Sequence, residues 1–231
     1  MSVREIVFDT ETTGFEPKDG HRLVEIGAVE LINHIPTGRH YHQYINPDRD
    51  VPEEAFKVHG LSVEFLKGFP RFKEIAHEFL EFIGDDVLVA HNASFDMGFI
   101  NHELKQIGKD IIAPGRFIDT LEIAKRLHPG ARNNLDALCK RYNVDNSKRT
   151  SHGALLDSEL LAQVYLELLG GQAPSMKLDA APQGKAEAAQ AVVDVERKFR
   201  EARNFEVSAE EMQAHEAFLK TKLKNAVWPV G

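Results

Sequence analysis

A single cysteine, Cys139, stands in this 231-residue sequence, so no internal disulfide can form, and a reducing, cytoplasmic setting fits. No run of about 18 apolar residues occurs, so no membrane-spanning helix is expected. No signal-peptide layout opens the chain; a core-like strand begins almost at once in MSVREIVFDT. Positive charge is also short. The 28 Lys and Arg are outnumbered by 36 Asp and Glu, for a net −8. That is the wrong sign for wrapping duplex DNA by charge alone. It does not exclude nucleic acid, because charge can segregate and bound cations offset local carboxylates. Internal repeats are lacking too, and TETTG has neither the lysine nor the spacing of a phosphate-binding loop.

What is present is a globular composition, 42% apolar, on a chain long enough for one domain of about 150–200 residues and something more. One segment is charge-segregated: Lys125, Arg126, Arg132, Lys140, Arg141, Lys148 and Arg149 face only Asp136 and Asp145. Such a run is either a solvated face or a phosphate-facing one.

Residues 3–9 read as a strand. Alternating apolar positions from Leu23 to Leu31 predict a second over 22–33. A turn at Pro36-Thr37-Gly38 would lead to a third over 41–46, making an antiparallel meander. Pro52 suits the first position of a short helix. Helical spacing recurs over 71–83, 94–107, 120–127, 134–142 and 153–169, and short strands are expected at 86–90 and 116–119. Strands first, then strand–helix alternation, predict a mixed sheet flanked by helices, an α/β fold. Residues 172–190 are rich in Ala, Gln, Pro and Gly and read as a flexible linker. Two helical patterns follow, 191–205 and one opened by a capping box, Ser208 to Glu211.

The chemistry lies in misplaced carboxylates. Ile6-Val7-Phe8 is a buried-strand pattern, yet it runs into Asp9 and Glu11, which point to one face of a strand. Asp96 shares a helix face with Phe99 and Ile100, and Asp157 with Leu160 and Leu161. Each acid alone has an ordinary explanation in turn chemistry or the helix dipole. Four inward carboxylates together repel one another unless a cation sits among them. Two divalent ions such as Mg²⁺, held by Asp9, Glu11, Asp96 and Asp157, would relieve this and suit phosphodiester hydrolysis. His152, before the last helix of the domain and next to Gly153, suits a general base. Asp119 reads as an N-cap, His91-Asn92 as loop chemistry that positions Asp96, and Cys139 as core.

FDTETTG, HNASFD and HGALLD, with Asp9, Glu11, Asp96, His152 and Asp157 in order, resemble the three motifs of the DEDDh 3′–5′ exonucleases. The resemblance covers about residues 3–170. It implies a ribonuclease-H-like fold, a five-stranded mixed sheet whose second strand is antiparallel to the others, two Mg²⁺ or Mn²⁺ ions, and release of nucleoside 5′-monophosphates. GHRLVEIGAVE, EEAFKVHGL, RNNLDALCKRYNVDNSKRTSHGALLD and AHEAFL narrow it to the proofreading subunits of bacterial DNA polymerase III. That resemblance implies an exonuclease domain over 1–171, the linker 172–190 and a helical tail over 191–231. The partners it implies are a DNA 3′ end and the polymerase (alpha) subunit bound by the tail; a small accessory subunit is left open. Glu54 and His59 would contact the terminal nucleotide, beside Asp9, Glu11 and Asp157. QAPSMKL, 172–178, resembles a sliding-clamp-binding peptide, departing from it at Pro174 and Leu178. The competing expectations are a DEDDh enzyme that trims RNA, and an adaptor that uses the same core as a scaffold.

Overall fold

The computed structural model describes residues 2–149, 151–170 and 208–222. The linker 172–190, the clamp-like 172–178 and the helical pattern 191–205 lie outside the described residues. The chain divides into an N-terminal and a C-terminal unit.

The N-terminal unit is built on five strands: β1 (Arg4–Thr12), β2 (Leu23–Ile32), β3 (Ile35–Tyr44), β4 (Val87–Ala90) and β5 (Phe117–Asp119), in the order β3-β2-β1-β4-β5. β2 runs antiparallel to β1 and β3, whereas β4 is parallel to β1 and β5 to β4, as the resemblance implies. The described helices are α1 (Glu53–His59), α2 (Val63–Leu66), α3 (Phe72–Ile83), α4 (Ala93–Gln106), α5 (Thr120–Leu127), α6 (Leu135–Tyr142), α7 (Ala154–Leu168) and, in the C-terminal unit, α8 (Ala209–Lys222).

The alternation of β1 sends its side chains into two cores. Ile6 and Phe8 join Phe79, Ile83, Phe99 and Ile100 of α3 and α4 on one face. Val7 joins Ala124, Leu138, Leu161 and Tyr165 of α5, α6 and α7 on the other. A sheet covered on both faces explains why Ile6-Val7-Phe8 is apolar without a break. Cys139 is buried in the second core, as expected of a packing residue.

Two local expectations are corrected. The β2–β3 turn is not at Pro36-Thr37-Gly38. It is at Asn33-His34, both in the left-handed region with φ of 51° and 65°, between the paired Ile32 and Ile35. Asn tolerates that conformation, and two such residues in a row make the two-residue turn that matches strand twist. Pro36 instead lies in β3, an edge strand, where half the N–H groups need no ladder partner. The third strand therefore starts at Ile35 and ends at Tyr44. Pro52 precedes α1 as its cap, in extended conformation, rather than occupying its first turn.

In the C-terminal unit, α8 starts as its sequence predicts. Ser208 N–H donates to Glu211 Oε2 (3.1 Å) and Glu211 N–H to Ser208 Oγ (3.3 Å), a reciprocal capping box.

Candidate active site

β1 and β4 are parallel, so both point their C-terminal ends the same way, and crevices of this kind collect functional groups in open α/β sheets. Asp9 and Glu11 follow Val7 at two-residue steps and share its face, the one covered by α7. Asp157 sits in the first turn of α7 and is 2% exposed. Thr10 points the other way, toward α4, whose first turn carries Asp96. Asp96 Oδ1 accepts from Thr10 N–H (3.0 Å) and from Thr10 Oγ1 (2.6 Å). One strand thus organises all four acids, two directly and two through the helix starts beside it.

α4 begins from Asn92, in left-handed conformation at φ 67°. Its N–H donates to Asp119 Oδ1 (3.0 Å), and the same oxygen caps α5 by accepting from Leu121 N–H (2.9 Å). The expected N-cap at Asp119 therefore also helps set where α4, and with it Asp96, begins.

The electrostatics are those of an anionic cluster short of cations. Burial pushes the Asp9 carboxyl well above the usual range, aided by the charges of Asp96, Glu11 and Asp157. Burial, then Asp157, Glu25 and Asp96, push Glu11 up to about 8. Glu25 lies directly across the β1–β2 ladder from Glu11 and is itself buried, bonded to His42 Nε2 at 2.7 Å. Burial also raises Asp96 to about 7, against the opposing Thr10 hydrogen bonds. Asp157 differs: burial raises it, but hydrogen bonds and charge from His152 and Arg149 prevail and hold it below its ordinary value.

His152 lies outside α7, as expected, with Gly153 as the cap of that helix. Its N–H donates to Val58 O at the end of α1 (3.1 Å), and its Nδ1 is 3.3 Å from Asp157 Oδ2. Its side chain is 47% exposed, so the ring is anchored at one end and open at the other.

Glu11, His152 and Asp157 each offer a ligand atom, all within 4.8 Å of one another. An oxygen-rich, mutually repelling donor set suits a hard divalent cation. The Arg149 guanidinium already places one positive charge against Asp157. The residues present therefore fit a divalent metal. Asp9, His91, Asn134, Leu135, Asp136, Arg149, His152 and Asp157 line the cleft, about 260 Å³ in volume. A larger groove of about 610 Å³, between Phe15 and α4, contains none of the four carboxylates, so charge rather than size marks the site.

The remaining candidates separate. His59 is buried beside the site; its Nδ1 accepts from Leu61 N–H (3.0 Å), while its Nε2, although near the Thr12 backbone, makes no well-formed hydrogen bond. Burial lowers the His59 pKa, favouring the neutral ring. Glu54 is on the same short helix but exposed. Within the basic segment, Lys125, Arg126, Arg132, Lys140 and Lys148 are exposed. Arg149 is not: its side chain is 7% exposed and turned into the cleft. Position in a basic run did not separate Arg149 from its neighbours, nor did sequence reasoning single out Asp136 or Glu25.

The exonuclease family model matches residues 6–165. The DNA polymerase III subunit epsilon of Rickettsia prowazekii is 49% identical over 94% of this chain and 96% of its own length. That of Escherichia coli is 46% identical over 94% of this chain and 92% of its own. Among solved structures, exonuclease X in complex with 5′-overhanging duplex DNA is 26% identical, covers 73% of this chain and 92% of its own, and superposes with a TM-score of 0.55. The nuclease domain of a DEDDh family member bound to rAMP, 16% identical with a TM-score of 0.60, shares the fold.

Proposed function

The chain belongs to the exonuclease family, in the branch of the DNA polymerase III epsilon subunits, and from that premise we propose how its residues divide the work. The reaction is hydrolysis of the last phosphodiester of a single-stranded or mispaired DNA 3′ end. Water supplies the attacking oxygen, the bond from phosphorus to the 3′ oxygen of the preceding nucleotide breaks, and a nucleoside 5′-monophosphate leaves. The observation that carries this is the convergence of Asp9, Glu11, Asp96 and Asp157 beside His152.

Asp9, Glu11, Asp96 and Asp157 would hold two divalent cations, Mg²⁺ or Mn²⁺. Such ions activate water and stabilise the leaving oxygen. The mutual repulsion of the carboxylates supports this role, since it is relieved only by protons or cations. Thr10 orients Asp96 by holding one of its oxygens. His152 is the general base. When its Nδ1–H is held by Asp157 Oδ2, the free Nε2 receives the proton of the attacking water. The Val58 carbonyl fixes the His152 backbone and so limits where the ring can swing.

His59 and Glu54, at the two ends of α1, are the residues we assign to the terminal nucleotide. The burial of His59 beside the site, which favours its neutral ring, supports its part. Selectivity for a mispaired end follows from strand separation: a mismatched base leaves the stack at lower cost and enters a single-strand site more readily. The relatives are named as subunits, which supports a place in an assembly. In that assembly the domain 1–171 is tethered by 172–190, and the tail 191–231 engages the polymerase subunit. Residues 172–178 engage a sliding clamp, and the domain takes a small accessory subunit. Joining two modules by a short tether raises local concentration to about the millimolar range, so a net-acidic nuclease needs no strong affinity for DNA of its own.

His152→Ala in the full chain tests the assignment: hydrolysis of single-stranded DNA falls by about 10²–10⁴-fold with the melting temperature retained. Normal turnover would remove His152 from the chemistry.

A further inference from the structure

Arg149 is the one cation among the described residues that lies inside the carboxylate cluster, and its contacts are those of an occupant. Its Nε donates to Asp157 Oδ1 (2.5 Å) and its Nη2 to Asp157 Oδ2 (2.7 Å), a fork that uses both carboxylate oxygens. Nη2 also lies 2.8 Å from His152 Nδ1, and Nη1 donates to Asp136 Oδ1 (2.6 Å) at the half-exposed rim.

Two consequences follow from elementary hydrogen-bond chemistry. First, a guanidinium has donors and no acceptor. While Arg149 faces His152 Nδ1, that nitrogen must accept, and the neutral ring carries its proton on Nε2. A ring protonated on Nε2 cannot take a proton there. The competing contact, His152 Nδ1–H to Asp157 Oδ2 at 3.3 Å, demands the opposite tautomer and frees Nε2 as a base. Second, a divalent cation on Asp157 needs an oxygen that the fork already uses, and it would lie beside a positive charge.

We propose that Arg149 is an internal gate: it substitutes for the divalent cation at Asp157, holds His152 in the tautomer that cannot act as base, and is displaced when the cation binds. Asp136 keeps hold of Nη1, so the guanidinium pivots toward the rim rather than leaving the site. Metal entry and base activation are then one event. The gate rests on the two-metal reading given above, with Asp157 as a ligand.

The test uses the full-length chain as wild type, R149M and R149K, without DNA. Mn²⁺ binding is measured by electron paramagnetic resonance, and the His152 tautomer by ¹⁵N NMR of histidine-labelled protein in EDTA and in Mg²⁺. If Arg149 occupies Asp157 nine-tenths of the time, its removal tightens Mn²⁺ binding about tenfold. R149M therefore binds about tenfold more tightly than wild type, and R149K, which cannot form the fork, falls between them. Wild-type His152 carries its proton on Nε2 in EDTA and on Nδ1 in Mg²⁺. Should R149M fail to fold, R149K and the wild-type NMR decide. Equal Mn²⁺ affinity across the folded proteins, or an Nδ1–H tautomer for the wild type in EDTA, overturns the gate alone. A wild type that binds no Mn²⁺ overturns the metal-site reading beneath it.

Discussion

Gly27 and Ala154 lie so close that a Cβ on Gly27 would fall 2.2 Å from the Ala154 carbonyl carbon and 2.2 Å from the Leu155 nitrogen. Gly27 is also the residue directly opposite Asp9 in the β1–β2 ladder. The start of α7 therefore rests on bare backbone, and Ser158 Oγ donates to Gly27 O (2.9 Å) from the same helix. This close approach is what carries Asp157 to Asp9. Gly27→Ala must push α7 outward. Overpacking of this kind costs about 1–3 kcal/mol, and the displaced Asp157 lowers turnover further than the stability loss explains. Thermal unfolding and single-strand hydrolysis of the variant check both; unchanged turnover would mean that the contact does not position the acid.

Stability responds to pH in a direction set by the buried acids. Glu11 is raised from 4.5 to about 8 and Asp96 from 3.8 to about 7. A raised carboxyl pKa means that the folded state binds protons the unfolded state has already lost. In EDTA, stability is therefore highest below about pH 3.8, under both ordinary values, and is lost as pH rises toward 8. The slope is at most about 1.4 kcal/mol per pH unit per proton. Mg²⁺ takes the place of those protons, so it stabilises most at pH 8 and flattens the slope. Thermal unfolding in EDTA and in Mg²⁺ across this window checks the sign; a metal-free protein that gains stability from about pH 5 to pH 8 contradicts it.

Thr10→Val removes the 2.6 Å hydroxyl bond to Asp96 and leaves the backbone bond in place. Groups that orient a metal ligand are worth about 10–100-fold in metal affinity or activity. Asp96 loses part of what lowers its pKa, so the variant should need more Mg²⁺ for half-maximal rate, an effect read in a metal titration. An unchanged titration would assign Thr10 to packing only.

Deleting residues 173–231 should leave hydrolysis of free single strands and abolish association with the polymerase subunit. Size-exclusion chromatography with that subunit checks this. Co-elution of the truncated chain would place the polymerase contact on the domain.

Much of this was legible in the sequence because it is periodic. Ile6-Val7-Phe8 reported a strand buried on both faces, and Asp9 and Glu11 broke that pattern in a way that gained meaning once Asp96 and Asp157 were set beside them. Asp96 and Asp157 were visible as acids on apolar helix faces, and both are buried. The Asn33-His34 turn was missed because Pro-Thr-Gly nearby carries a stronger generic turn signal than two residues with φ above zero. Arg149 was missed for a different reason. Its side chain enters the cleft because Asp157 and Asp136, from two different helices, converge on it. Such convergence is tertiary, and a run of Lys and Arg looks the same whether one member turns inward or none does.

The most direct measurement uses the purified full chain with 5′-labelled single-stranded DNA, a mismatched primer–template and single-stranded RNA, each with Mg²⁺ or with EDTA. A ladder shortened from the 3′ end is expected in Mg²⁺ only, with DNA cut faster than RNA and the mismatched end faster than a paired one. Faster cutting of RNA would point to an RNA-trimming enzyme, and no cleavage with any divalent metal would contradict the assignment of Asp9, Glu11, Asp96 and Asp157 as a catalytic metal site.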